Sequence, residues 1–301
     1  MLDEALAGIA AVPGGIYVDA TYGRGGHSGA ILGRLGDSGR LVALDRDPEA
    51  ARDAQARYGG RANFDFHAAP FASLAEVCAK AGIAGRVNGV LFDLGVSSPQ
   101  LDDARRGFSF RADGPLDMRM DPTRGEPVSA WLARASVDEI REVIASFGEE
   151  RFARRVARAI VEARHAEALT RTAQLAEVVA HAVRTREPGK HPATRTFQAL
   201  RMFINDELGQ LGQGLAGALA TLSSGGRLAV ITFHSLEDRA VKRFMQRESQ
   251  PDPALARLPV LPPRAAPRLR IVGRKARPAD AEVKRNPRAR SALLRVAEKL
   301  G

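Results

Sequence analysis

The chain has 301 residues, 45% of them hydrophobic and 27% charged, and a formal net charge of +10. That content supports a sizeable core in one large or two smaller domains and excludes disorder throughout, while the basic balance points to a polyanionic partner. A single cysteine, Cys78, excludes an internal disulfide and a cysteine-rich zinc site, and no run reaches the roughly 18 apolar residues of a membrane span. Met1 to Ala11 carry Asp3 and Glu4 and lack the basic and apolar regions of a signal peptide, so a soluble cytoplasmic protein is expected.

Apolar, β-favouring runs recur through the first hundred residues: Ile16–Asp19, Leu41–Asp45, Phe64–Phe66 and Val90–Asp93. Helical patterns separate them, which predicts a parallel sheet with crossover helices. Asp19, Asp45 and Asp93 close three of these runs, so they should share the crevice at the carboxyl edge of the sheet, where open α/β folds bind ligands. From about Ser129 the pattern turns helical. Ser136 with Glu139 makes a capping box, Ile140, Val143, Ile144 and Phe147 follow on one stripe, and Gly148 suits a C-cap. Phe152, Val156 and Ile160 form the next stripe, with Arg151, Arg154, Arg155 and Arg158 mostly off it. Phe197, Leu200, Ile204, Leu208, Leu211, Leu215 and Leu219, spaced by threes and fours, predict one long helix. Gly225 and Gly226 break the pattern, and Arg227–Phe233 resumes a strand. The Pro- and Arg-rich stretch from about 251 to 287 predicts an irregular basic loop, with a last strand near Ser291–Val296.

The turn after the first strand, Asp19-Ala20-Thr21-Tyr22-Gly23-Arg24-Gly25-Gly26-His27-Ser28, is glycine-rich and leads into a helix. Glycines there let the backbone approach a ligand, and Asp45 at the end of the next strand can accept hydrogen bonds from ribose hydroxyls. Together they point to a nucleoside cofactor, which NAD and S-adenosylmethionine both satisfy. The fourth strand runs into Asp93-Leu94-Gly95-Val96-Ser97-Ser98-Pro99-Gln100-Leu101-Asp102, a polar turn at the same edge. An acceptor in that position can hydrogen-bond an exocyclic amine, whose lone pair is delocalised into its ring, and assist its proton loss. Read as structure alone, Ser97-Ser98-Pro99 is a turn, Ser235 with Asp238 is a capped helix start, and an arginine run is a solvated face. Aromatic residues, at 5%, argue against a row of stacking rings, so base recognition is expected in one pocket.

The two segments just quoted, with Arg106-Gly107-Phe108-Ser109-Phe110, Gly114-Pro115-Leu116-Asp117-Met118-Arg119-Met120-Asp121, His191-Pro192-Ala193-Thr194-Arg195-Thr196-Phe197-Gln198-Ala199-Leu200-Arg201, Phe233-His234-Ser235-Leu236-Glu237-Asp238-Arg239 and Asn286-Pro287-Arg288-Ala289-Arg290-Ser291, resemble the RsmH (formerly MraW) family. They span nearly the whole chain in order. The resemblance implies an α/β fold: a Rossmann-like class I methyltransferase domain in two parts, 1–105 and 211–301, around an inserted, mostly helical domain at 106–210. It implies S-adenosyl-L-methionine as cofactor, held by Gly25, Gly26, His27, Asp45, Phe71, Asp93 and Gln100. It implies N4-methylation of a cytidine in the decoding (P-site) region of 16S rRNA within small-subunit ribosomal particles. Asp93, Ser97, Ser98, Pro99 and His234 are the catalytic candidates, no metal is expected, and a homodimer is compatible with the reading. The family pattern begins upstream with a His-x-Pro-Val stretch that this chain, opening Met1-Leu2-Asp3-Glu4, does not carry. Rival readings are an amino-methyltransferase acting on DNA, a nicotinamide-dependent oxidoreductase, and a noncatalytic RNA-binding or assembly protein.

Overall fold

The computed structural model describes residues 1–183, 189, 191–251, 254, 262 and 265–301. The chain forms two compact units: 1–95 with 208–301, and 96–207. The first carries a seven-stranded sheet of β1 (Ile16–Asp19), β2 (Arg40–Asp45), β3 (Phe64–Ala68), β4 (Val87–Asp93), β5 (Leu222–Thr232), β6 (Leu269–Ile271) and β7 (Leu293–Lys299). Their order is β3-β2-β1-β4-β5-β7-β6, with β7 antiparallel to both of its neighbours and all other pairs parallel. The five parallel strands are those expected from the alternating pattern, and the sheet is the Rossmann-like one that the family resemblance implies.

Side chains of successive strand residues point to opposite faces. Val90 and Phe92 therefore join Val18, Val42, Leu44, Leu228 and Val230 in one core, with helices Leu74–Lys80, Glu207–Thr221 and Ser235–Glu248 against it. Leu91 joins Tyr17, Leu41, Ala43, Ala229 and Ile231 in another, under helices Leu2–Gly8, Gly26–Leu35 and Pro48–Tyr58. With both faces covered, β4 has no exposed apolar position from Val90 to Phe92, and each such side chain contributes about 1.5–3 kcal/mol by burial. β2 and β3 extend from one side of β1 and β4 from the other, so the connections reverse direction between β1 and β4. Asp19 and Asp93 end those two strands, and Asp45 ends β2.

The second unit packs helices Val128–Arg134, Val137–Gly148, Ala153–Ala166, Thr172–Ala182 and Thr194–Ile204 around Trp131, Ile140, Ile144, Val156, Ile160, Leu175 and Leu200. It begins at residue 96, ahead of the expected boundary at 106, because Val96 and Leu101 pack against this core.

Four features differ from what local sequence predicts. The single helix expected from Phe197 to Leu219 is two, broken at Asn205 and Asp206. Asn205 accepts from the Met120 amide at 2.8 Å and donates to the Met118 carbonyl at 2.7 Å, and Asp206 turns left-handed at φ 47. Gly148 is the last helical residue and the left-handed cap is Glu149; a Cβ on Gly148 would stand 2.7 Å from the Arg195 carbonyl oxygen, so glycine serves close helix packing there. Gly225 and Gly226 lie inside β5, which starts at Leu222. The stretch from 251 to 287 contains β6 and the helix Asp280–Arg285, because Leu269, 1% exposed, pairs with β7. The rest of that expected loop, at 252–253, 255–261 and 263–264, lies outside the described residues.

Candidate active site

The turn from β1 into the helix Gly26–Leu35 is held by two carboxylates. Asp19 is fully buried; its Oδ1 accepts from the Thr21 amide at 3.2 Å and its Oδ2 from the Ser28 hydroxyl at 2.7 Å. Asp45 Oδ2 accepts from the Gly23 amide at 2.8 Å and Oδ1 from the Asp47 amide at 2.9 Å, which leaves one lone pair on each oxygen. Gly23 and Gly25 have φ of 57 and 68. A Cβ on Gly25 would fall 2.6 Å from the Tyr22 hydroxyl, whereas one on Gly26 would meet nothing within 4 Å. Gly26 therefore presents bare backbone to open space at the first turn of a helix, where amide groups lack intrahelical acceptors.

Asp93 ends β4 beside this turn. Its amide donates to the Thr21 hydroxyl at 2.6 Å, and its Oδ2 lies 3.4 Å from His27 Nδ1. Asp93 Oδ1 and His27 Nε2 are both buried without a hydrogen-bond partner among the described residues. Such groups are costly unless something satisfies them. Burial pushes Asp93 up to about 6, with the His27 charge opposing, and pushes Asp45 up to about 6 as well, with the Asp47 and Gly23 amides opposing. Asp19 is raised for the same reason. Three carboxyls with raised values at one sheet edge, two orphaned polar atoms and an open glycine cradle form a site built to receive a polar ligand.

The sequence profile described as the MraW methylase family matches residues 1–300. The chain belongs to the MraW methylase family. Proteins named "Ribosomal RNA small subunit methyltransferase H" from Thioalkalivibrio sulfidiphilus, Azoarcus sp. and Thiobacillus denitrificans are 57%, 58% and 57% identical to it, over 100% of this chain and 96% of each relative. The family is one of S-adenosylmethionine-dependent methyltransferases, so the nicotinamide reading is set aside. The orphaned Asp93 and His27 atoms, the Asp45 lone pairs and the Gly26 cradle fit the polar groups and ribose of that cofactor.

The expected family residues differ in what surrounds them. Phe71 is half-buried, with its ring edge-on to Phe92 at 5.7 Å. Ser97, Ser98, Pro99 and Gln100 fall in the second unit, where Gln100 Oε1 accepts from the Ser97 amide at 2.8 Å and starts the helix Ser98–Asp102. His234 is itself the N-cap of Ser235–Glu248: its Nδ1 accepts from the Glu237 amide at 3.4 Å. The capped start expected at Ser235 and Asp238 is thus displaced by one residue. Glu237, 2% exposed, accepts from the Phe233 amide at 2.8 Å. Asp238 is held by Arg295 of β7 through oxygens at 2.7 and 3.0 Å, and that guanidinium keeps its carboxyl below the usual range. His234, Glu237 and Asp238, which follow β5, are therefore all engaged in structural contacts. Thr21 and Ser28, which tie Asp93 and Asp19 to the turn, have no role that the sequence alone assigns. Their only signal is a hydroxyl at each end of the glycine segment.

Among the described residues no helix is long and apolar enough to cross a membrane.

Proposed function

We propose that this protein transfers a methyl group from S-adenosylmethionine to the N4 amine of a cytidine in the decoding region of 16S rRNA, acting in the cytoplasm on small-subunit ribosomal particles. The observation that carries the reading is Asp93 Oδ1, a buried acceptor without a partner among the described residues, at the strand end beside the glycine turn. Asp45 holds the cofactor ribose, Gly25, Gly26 and His27 line its path, and Phe71 and Gln100 are further contacts. The cofactor supplies a methyl group made electrophilic by sulfonium. Asp93 accepts a hydrogen bond from the amine, orients its lone pair and receives the proton that must leave. His234 is less suited to that task, because its Nδ1 accepts from the Glu237 amide at 3.4 Å and its Nε2 lies 3.0 Å from Glu237 Oε1. Ser97, Ser98 and Pro99 shape the base pocket.

RNA rather than DNA is supported by the names of the relatives, and a polyanion by charge. Arg154, Arg155 and Arg158 stand exposed on the helix Ala153–Ala166 without an ion-pair partner among the described residues, opposite its buried Val156, Ala157 and Ile160. Unopposed like charges on one helix face are unfavourable until a phosphate backbone neutralises them. Mass spectrometry of 16S rRNA from cells with and without the gene tests the assignment. One N4-methylcytidine should disappear with the gene and return when small-subunit particles are treated with the purified protein. Activity on duplex DNA alone would reverse it.

A further inference from the structure

The second unit holds an exposed ring whose orientation is fixed from below. His191 is exposed, yet its Nδ1 accepts from the Ala193 amide at 3.2 Å and its carbonyl accepts from the Thr194 amide at 3.0 Å. Its imidazole lies 4.6 Å from the Phe110 ring, tilted by 36°. Phe110 is half-buried and in turn meets Phe197 edge-on at 4.8 Å, and Phe197 is 4% exposed in the core of this unit. The three rings form a column from core to surface. One side of the outermost ring packs on Phe110, and the residue is exposed to solvent. Arg111, next to Phe110, is exposed and has no ion-pair partner among the described residues. The nearby Asp113 carboxylate is taken by Arg171, with Oδ2 2.5 Å from its Nε.

A fixed exposed ring, stacked on a residue whose chain neighbour Arg111 is exposed, matches what single-stranded nucleic acid offers: a base with a π-face and a phosphate along the chain. We propose that His191, seated on Phe110 and Phe197, is a stacking platform for one unpaired base of the RNA substrate, a base other than the one methylated. In a chain with few aromatic residues this platform holds one base and contributes the affinity of one stacking contact. The proposal rests on the RNA reading above.

The test uses the full chain, small-subunit particles, and a single-stranded RNA oligonucleotide carrying the target cytidine and its flanks with 2-aminopurine placed at each flank in turn. His191→Ala should weaken oligonucleotide binding and raise KM for particles about tenfold, the scale of one base on one ring. It should leave kcat at saturation and the salt dependence of binding unchanged. One 2-aminopurine position should be quenched by the wild type and not by His191→Ala. His191→Tyr lacks the Nδ1 acceptor yet keeps a ring, so it should restore affinity and quenching. Wild-type affinity in His191→Ala, or equal loss in His191→Ala and His191→Tyr, overturns the platform while leaving the methyltransferase reading intact. A wild-type protein that neither binds nor methylates RNA overturns both.

Discussion

Replacing Asp93 by asparagine separates two consequences of burying a carboxyl at the end of β4. Moving such a group from 3.8 to about 6 costs the ionised form about 3 kcal/mol when it is wholly cut off from water. The Asp93 side chain is 32% exposed, so water screens part of this and about 1–2 kcal/mol is expected to remain. The folded state binds this proton more tightly than the unfolded chain does, so the group's contribution to stability is lost as pH rises from about 4 through about 6. Asp93→Asn should therefore raise the urea midpoint of the ligand-free protein at pH 7 and leave it unchanged near pH 4, where both side chains are neutral. On the proposed mechanism the same substitution removes the proton acceptor. Single-turnover methyl transfer to small-subunit particles at saturating cofactor should fall by about 10²-fold or more. The wild-type rate should drop as pH falls through about 6, and the variant should lose that limb. A variant that turns over at the wild-type rate would assign Asp93 to cofactor positioning only, and one less stable than wild type at pH 7 would show that its charge is a net stabiliser, against the burial argument.

On the proposed cofactor site, Asp45→Ala removes the acceptors for ribose hydroxyls, each worth about 1.5–3 kcal/mol when the acceptor is charged. Calorimetry with S-adenosylhomocysteine should show at least a tenfold loss of affinity while RNA binding is unchanged; equal loss of both with a normal fold would remove Asp45 from the cofactor site. Charge reversal of Arg154 and Arg158 should lower the log–log salt slope of RNA binding by roughly 0.7 for each phosphate that is no longer neutralised, and an unchanged slope would return these arginines to a solvated face. Gly148→Ala drives a methyl group against the backbone carbonyl of Arg195, so thermal unfolding should show a loss of about 1–3 kcal/mol with cofactor affinity preserved.

Much of the α/β unit is legible in the sequence because its signals are local. A short apolar run closed by an aspartate marks β1, β2 and β4, so the crevice of Asp19, Asp45 and Asp93 is expected from the strand pattern alone. The glycine turn is legible for the same reason: Gly23 and Gly25 need the left-handed conformations that glycine adopts freely. What the site does to its members is not legible. That Asp93 Oδ1 lacks a partner among the described residues and that Asp238 is locked by Arg295 depend on which groups from distant segments arrive within 3 to 4 Å.

The second unit shows the same division. Ser136 with Glu139 reads as a helix start because a capping box spans four residues, and the structure forms it. The break at Asn205 does not, because the apolar spacing runs through it unchanged. Only tertiary structure brings the Met118 and Met120 backbone groups to the Asn205 amide, and those bonds outweigh continuation of the helix. His191 on Phe110 belongs to that second class, since the two rings are 81 positions apart in the chain and meet only after the unit has folded. Local periodicity specifies what each segment is, whereas the partners of buried polar groups are chosen by long-range packing, which carries no signature within a single segment.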